Sequence, residues 1–313
     1  MQISMIFDAP RMVNSNSIRR RLFLVGCPRS GTTLLQSMLA THSAIASFPE
    51  THLLVAAGRT RQARWCTRLG LASPELKKQM HTFLSHINHA DLHALVPQRL
   101  LWLSQYIKVM TGLLDAAAMQ QSTAIWLEKT PGHLHYLAYL ERYIPEVKFI
   151  HLVRNGAQVV ASLYQVTRRH PQVWGGHYHL NYCIARWNRD IEITRQYYRH
   201  PRHYVVDYQR LLSNPALELS NLCNFMGVDF EPEMLTNYPF VADSLILDHE
   251  FWKHAARKPL HKNDWGKFND LFDKRQQDYI FSNLREEGDT VKIFRDDTSW
   301  QLSSRNNTGR SLT

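Results

Sequence analysis

The feature that most constrains this chain is a short apolar run, Leu22-Phe23-Leu24-Val25, passing directly into Gly26-Cys27-Pro28-Arg29-Ser30-Gly31-Thr32-Thr33. An apolar helical stripe follows at Leu34, Leu35, Met38 and Leu39. A strand, a glycine-containing loop and a helix N-terminus in succession form an anion cradle, because unpaired backbone N–H groups and the positive end of the helix dipole point at one place. The spacing follows the first part of the pattern G-x-x-x-x-G-K-[ST], but Thr32 stands where a P-loop nucleotidase has its lysine. Phosphotransferases of that kind need the lysine on the β/γ-phosphates and an acidic strand end for Mg²⁺. Here the fourth apolar run ends His151-Leu152-Val153-Arg154, and an arginine there repels a metal ion. The missing lysine argues against a nucleotide-dependent phosphotransferase, which stands with a non-catalytic nucleotide-binding protein as a rival reading.

The alternation continues along the chain. Strand-length runs at Ala44–Phe48, Ala124–Leu127, Val147–Val153 and Tyr204–Val206 are separated by helical patterns such as Val159, Val160, Leu163 and Tyr164, or Leu217, Leu222, Phe225 and Met226. This predicts an α/β, P-loop-like three-layer fold with a central, mostly parallel five-stranded sheet flanked by helices. At 313 residues and 44% hydrophobic, the chain can bury a large core. With no repeat or Gly/Ser-rich linker, one domain is expected over 19–297, between an N-terminal tail 1–18 and a flexible C-terminal tail 298–313. The stretch 53–122 reads as a wholly helical insertion after strand 2, of the kind that forms a lid or acceptor pocket.

Composition narrows the partners. Four scattered cysteines, Cys27, Cys66, Cys183 and Cys223, indicate neither a disulfide scaffold nor a cysteine-built structural zinc. No secretory leader and no eighteen-residue apolar run is visible, so a soluble cytoplasmic protein with no membrane partner is expected. The Asn306-Asn307-Thr308 sequon is read as chance in a polar tail. A net charge of +10 implies an anionic partner. Nucleic acid is not expected, because no helix-turn-helix, RRM or finger pattern is present and the basic residues are dispersed. Oligomeric state is left open.

From the loop onward the sequence resembles the sulfotransferases that use 3′-phosphoadenosine 5′-phosphosulfate (PAPS). The run Pro28-Arg29-Ser30-Gly31-Thr32-Thr33 matches that family's P-[KR]-S-G-T-T loop. Three further segments follow in order. Val153-Arg154-Asn155-Gly156 to Ser162 is similar to the 3′-phosphate element. Val205-Val206-Asp207-Tyr208-Gln209-Arg210-Leu211 resembles the Y-E-x-L segment and its following helix, and Arg257-Lys258 with Asp264-Trp265 resembles the closing R-K-G…G-D-W loop. Pro259 replaces that loop's glycine and removes a backbone N–H.

The resemblance implies sulfuryl transfer from PAPS, with adenosine 3′,5′-bisphosphate (PAP) as product and no metal. Cys27, Pro28, Arg29, Ser30, Gly31, Thr32 and Thr33 would cradle the phosphosulfate, while Arg154, Ser162, Tyr208, Arg257 and Lys258 would hold the rest of the nucleotide. Lys129 matches the lysine near the bridging oxygen, and with Arg29 would stabilise the leaving group. The cytosolic branch has a histidine two residues after that lysine, where this chain has Pro131. Phe48-Pro49-Glu50-Thr51-His52 is instead similar to the tyrosylprotein or Golgi-type branch, which makes Glu50 the expected base and His133 the alternative. A glutamate base works best with its pKa raised by burial. Independently of the resemblance, Arg29, Glu50, Lys129, Arg154 and Tyr208 each fall just after a predicted strand, and ligands of open parallel sheets bind beyond those ends. On the acceptor side His52, Trp102, His133 and Trp174 are candidates, with Tyr106, Tyr178 and Trp187 as pocket or core aromatics. Arg61, Arg64 and Arg68 beside Trp65 are read as a solvated helix face. The expected acceptor is a small molecule, with protein tyrosine or glycan as alternatives.

Overall fold

The computed structural model describes residues 18–285 apart from 59, 88, 89, 259 and 261–264. The sequon, Pro259, Asp264 and nearly all of both expected tails lie outside the described residues. Ile18, assigned from sequence to the tail, is buried in the core, so the domain begins at least one residue earlier.

In chain order the elements are β1 (Arg20–Gly26), α1 (Thr32–Ala40), β2 (Ile45–Ser47), α2 (Arg61–Arg68), α3 (Pro74–His86), α4 (Leu103–Gln120), β3 (Ile125–Lys129), α5 (Leu137–Tyr143), β4 (Val147–Val153) and α6 (Gly156–Arg169). There follow α7 (Pro171–Trp174), α8 (Leu180–Tyr197), β5 (His203–Asp207), α9 (Tyr208–Ser213), α10 (Pro215–Met226), α11 (Tyr238–Leu245), α12 (Gly266–Leu271) and α13 (Lys274–Asn283). The strands form one parallel sheet in the order β2-β3-β1-β4-β5. Both faces of β1 are buried, as a parallel strand covered by helices on two sides requires. Leu22 and Leu24 pack with α1, α10 and α11 on one side, and Phe23 with Trp126 and Phe149 on the other, under α3, α4 and α5. A third apolar cluster joins α6, α8 and α12.

The five strands fall where the periodicity placed them, with boundaries moved by at most two residues and those of β4 unmoved. The insertion 53–122 departs from its wholly helical expectation. Leu71 and Trp102 pair as an antiparallel bridge. Flanking backbone bonds, Ala72 N–H to the Leu101 carbonyl and Leu103 N–H to the Gly70 carbonyl, close the insertion into a bracket. Trp102 precedes α4 with its side chain half exposed, away from the sheet's binding edge.

β1 and β4 run in register from Arg21 opposite Val147 to Gly26 opposite Leu152. A side chain at Gly26 would press its Cβ to 2.6 Å from the Leu152 carbonyl oxygen, so the glycine lets the loop leave the sheet flush against β4. The carboxyl ends of β1, β3, β4 and β5 thereby open on one rim.

Candidate active site

A cleft of about 630 Å³ opens on that rim, lined on its floor by Pro28, Arg29, Gly31, Thr32 and Thr33. The loop carries two left-handed residues, Arg29 at φ 76° and Gly31 at φ 101°. Gly31 caps α1 without a side chain, and the first turn of α1 holds no acidic residue, so its N–H groups face the cleft uncompensated. The Ser30 hydroxyl is buried with no hydrogen-bond partner, and Ser30, unlike its neighbours in the loop, does not line the cleft.

Two arginines stand over this cradle. Arg29 Nε donates to Ser162 Oγ at 3.2 Å, and its Nη2 donates to the Trp252 carbonyl at 3.0 Å. Arg154 Nε donates to Gln158 Oε1 at 3.1 Å, with its guanidinium 4.6 Å from the centre of the Tyr208 ring. Among the described residues neither forms an ion pair with a carboxylate. Burial, followed by the charge of Arg154, pulls Arg29 down to about 10, and burial lowers Arg154 as well. Lys267 of α12 is lowered by burial and then by Arg29 and Arg154, which puts a third cation in the same field. Closely spaced cations, two of them partly buried arginines without a directly paired carboxylate and with Glu50 the acid whose charge reaches Arg29, describe a site suited to an anion.

A second layer joins the ends of β2 and β3. Glu128 is buried at the end of β3, where Thr51 Oγ1 and Thr130 Oγ1 donate to its Oε1 at 2.7 and 2.6 Å. His133 Nδ1 donates to its Oε2 at 2.8 Å, while His133 Nε2 accepts from Leu54 N–H at 3.2 Å. Burial would raise Glu128, but His133, Thr130 and Thr51 outweigh it and hold the carboxyl low. This network fixes the segment after β2 against β3 and so presents Glu50 to Lys129.

At that junction Lys129 Nζ donates to Glu50 Oε1 at 2.5 Å and to Thr33 Oγ1 at 3.3 Å, bridging the loop helix and the acid. Lys253, from the 3₁₀ segment Phe251–Arg257, lies 2.7 Å from the same Glu50 oxygen and also pairs with Glu250. His52 Nε2 is 3.4 Å from Glu50 Oε2. Burial would raise Glu50, but Lys129, Lys253 and His52 together hold it well below the usual carboxylate range. Burial pulls Lys129 the other way, down to about 8, against the opposing pull of Glu50.

The structure therefore brings together most of the residues expected from sequence. Pro28, Arg29, Gly31, Thr32, Thr33, Glu50, His52, Arg154, Trp174 and Tyr208 line the cleft, and Lys129 and Ser162 stand directly behind it. Several expectations are corrected. His133 does not line the cleft: it is fully buried and both ring nitrogens are committed, so it holds Glu128 rather than serving as a base or acceptor contact. Trp102 belongs to the insertion's bridge, outside the cleft. Arg257 pairs with Asp243 at 2.6 Å, and exposed Lys258 contributes its carbonyl to the Tyr238 hydroxyl, so neither cation reaches the cleft. Cys27 turns its thiol into the protein towards Asp190, and burial raises its pKa. Glu50 is buried as expected, but its pKa is lowered rather than raised. Of the other aromatics, Tyr178 lines the cleft, while Tyr106 and Trp187 are core. Arg61, Arg64 and Arg68 lie on an exposed face of α2 away from it.

Sequence reasoning missed Glu128, Glu250, Trp252, Lys253 and Lys267. Glu128 adjoins Lys129 at the end of a strand, which was a usable signal. The others come from segments whose approach to the cleft depends on how α11 and α12 pack.

Comparison with known proteins agrees with this geometry. A model of the sulfotransferase family matches residues 21–232. The chain is 26% identical over 238 residues to protein-tyrosine sulfotransferase 2 of Gallus gallus, covering 72% of this chain and 57% of that protein. It is also 26% identical over 228 residues to protein-tyrosine sulfotransferase 1 of Danio rerio, covering 68% and 55%. The chain thus matches little more than half the length of these relatives. A solved sulfotransferase domain from the curacin biosynthetic pathway shares the fold, with a TM-score of 0.52, 23% identity, and coverage of 91% of this chain and 97% of that one. An α/β sheet with a lysine-free anion loop and a conjoined Glu-Lys pair, matched over two thirds of its length, defines the class: the chain belongs to the sulfotransferase family.

Proposed function

We propose that this chain transfers a sulfuryl group from PAPS to an acceptor oxygen or nitrogen, with Glu50 as base and Lys129 and Arg29 at the leaving group. The observation that carries the reading is the Lys129 ammonium, shared between Glu50 and Thr33 at the mouth of the anion loop. The residues present fit PAPS: an uncapped helix end and two partly buried arginines that pair directly with no carboxylate are what two separated anionic groups require. The Arg29 and loop N–H groups would hold the phosphosulfate, and Arg154 with Ser162 the 3′-phosphate. PAPS supplies a sulfuryl group on a phosphate leaving group, where negative charge builds on the bridging oxygen during transfer.

Glu50 remains ionised across the neutral range, the form that takes a proton from the acceptor, although Lys129 and Lys253 lower its basicity. Lys129 and Lys253 stabilise its charge until then, and Lys129 keeps one N–H, beyond those given to Glu50 and Thr33, for the leaving oxygen. Fixed donors of this kind are typically worth about 10²–10³ in rate. The cations needed for charge stabilisation are all side chains, which supports a reaction independent of metal.

Two acceptor classes have support. The apolar wall of the cleft, Val173, Trp174, Tyr178 and Trp252, suits a small apolar hydroxyl compound. The relatives' description as protein-tyrosine sulfotransferases supports a tyrosine side chain at least as well. Calorimetry with PAP in EDTA tests the donor: tight binding, with ATP much weaker, is expected, and Mg²⁺-dependent ATP binding without affinity for PAP would overturn the reading. A screen of small phenols and alcohols against tyrosine peptides, scored by mass gain of one SO₃, separates the acceptors.

A further inference from the structure

Away from the cleft, the turn entering β5 brings a second set of ligating side chains together. His200 and His203 are separated by Pro201 and Arg202, and the turn is closed by His203 N–H donating to the His200 carbonyl at 2.9 Å. Glu141 of α5 faces both imidazoles. Its Oε1 lies 3.1 Å from His203 Nε2 and 3.7 Å from His200 Nδ1, and the three ligand atoms fall within 4.8 Å of one another. Zinc binds imidazole and carboxylate at about 2.0–2.2 Å, which places neighbouring ligand atoms of a tetrahedral site roughly 3.3–3.4 Å apart. The two separations from Glu141 bracket that spacing before any ion is added.

His203 is also oriented from behind. Its ring is stacked between Phe149 at 4.7 Å and Tyr197 at 4.4 Å. Its Nδ1 lies 2.8 Å from His151 Nε2, and His151 Nδ1 lies 3.2 Å from Thr194 Oγ1. Without a metal His203 Nε2–H donates to Glu141; with an ion bound, protons donated along the relay from His203 to His151 to Thr194 would leave the Nε2 lone pair facing the ion between Glu141 and His200. An outer partner on the far ring nitrogen is what fixes a metal-binding histidine in its tautomer. Three contacts compete with a metal, the first being the hydrogen bond between His203 Nε2 and Glu141 Oε1 at 3.1 Å. Arg202 Nη2 is 3.1 Å from the same Glu141 oxygen, and the Arg202 N–H reaches His200 Nδ1 at a long 3.4 Å. The Arg202 side chain is 38% exposed on a long stem, free to turn to the other carboxylate oxygen or to water.

We propose that Glu141, His200 and His203 form a divalent-cation site of the zinc type, with three protein ligands and the fourth position left to water. The site ties α5 to the start of β5, at the opposite end of that strand from Asp207 and the cleft, so it acts on the fold and takes no part in sulfuryl transfer. It is also independent of the acceptor and donor assignments.

The test uses the full chain without a histidine tag, stripped with EDTA, exchanged into chelator-free buffer and titrated with ZnCl₂ by calorimetry. One zinc per chain is expected. Glu141→Gln and His200→Ala, both at partly exposed side chains, should weaken it by more than the ~10–100-fold that loss of a supporting partner costs, with circular dichroism unchanged. Cobalt should give the visible bands of a tetrahedral site, bleached by zinc. Arg202→Ala should bind zinc at least as tightly as the parent, because it removes a competing cation. No zinc binding, binding that survives both ligand substitutions, or loss in Arg202→Ala equal to that in His200→Ala would each overturn the assignment.

Discussion

Glu50 shows how one carboxylate can be buried and still stay ionised. Desolvation alone would favour its neutral form, and two ammonium groups within 2.7 Å reverse the balance. If Glu50 is the base, Glu50→Gln should leave PAP affinity nearly unchanged and abolish turnover; full activity would move the base elsewhere. Lys253 makes a sharper prediction about pH. Lys253→Met combined with Glu250→Gln removes one of the two ammonium groups without leaving a buried acid unpaired, so the Glu50 pKa must rise. The acid limb of kcat/KM should then shift to higher pH, and an unmoved limb would show that Lys253 does not act on the base. On the alkaline side, Lys129 titrates at about 8 in the free protein, so kcat/KM should fall as pH rises past that value and the ammonium loses its proton. Arg154→Ala should weaken PAP binding by about 1.5–3 kcal/mol, the scale of a charged hydrogen bond. Calorimetry showing unchanged affinity would refute its place at the 3′-phosphate.

At the level of elements, the anion loop depends on backbone shape more than on any side chain. Gly31 combines φ 101° with a position where an added Cβ would come 2.4 Å from the Tyr208 ring. Gly31→Ala should therefore cost about 1–3 kcal/mol of stability from strain and remove the PAP-induced rise in Tm. Adding Tyr208→Ala would relieve the contact but not the dihedral, so recovery should be partial in thermal denaturation. The strands were legible from short apolar runs because both faces of a parallel sheet are buried, and the helices because each presents one apolar stripe. The bridge between Leu71 and Trp102 was not legible, since a single pair of residues in extended pairing leaves no periodic signal in a helical region. Trp102 was consequently misread as a pocket residue.

For the whole molecule, ligand binding and folding are linked. A ligand that binds only the folded chain stabilises it by RT ln(1 + [L]/Kd), about 2.7 kcal/mol at a hundred times Kd. PAP in EDTA should accordingly raise Tm clearly, and no shift at saturating PAP would contradict the donor site. The excess of ten positive charges belongs to the whole chain, while the part that matters is a few cations withdrawn from water around one cleft. Composition reports the first and cannot report the second. The sequence by itself determined the fold class, the loop, the lysine's absence from it, and the strand ends from which Arg29, Glu50, Lys129 and Arg154 emerge, because these follow from local pattern and strand order. Only the tertiary structure decided which groups share a proton field. Burial turned His133 from a candidate base into a support for Glu128, and the packing of a distant 3₁₀ segment delivered Lys253 to Glu50. A pKa is set by desolvation and by charges a few ångströms away, and those distances exist only once the chain has closed.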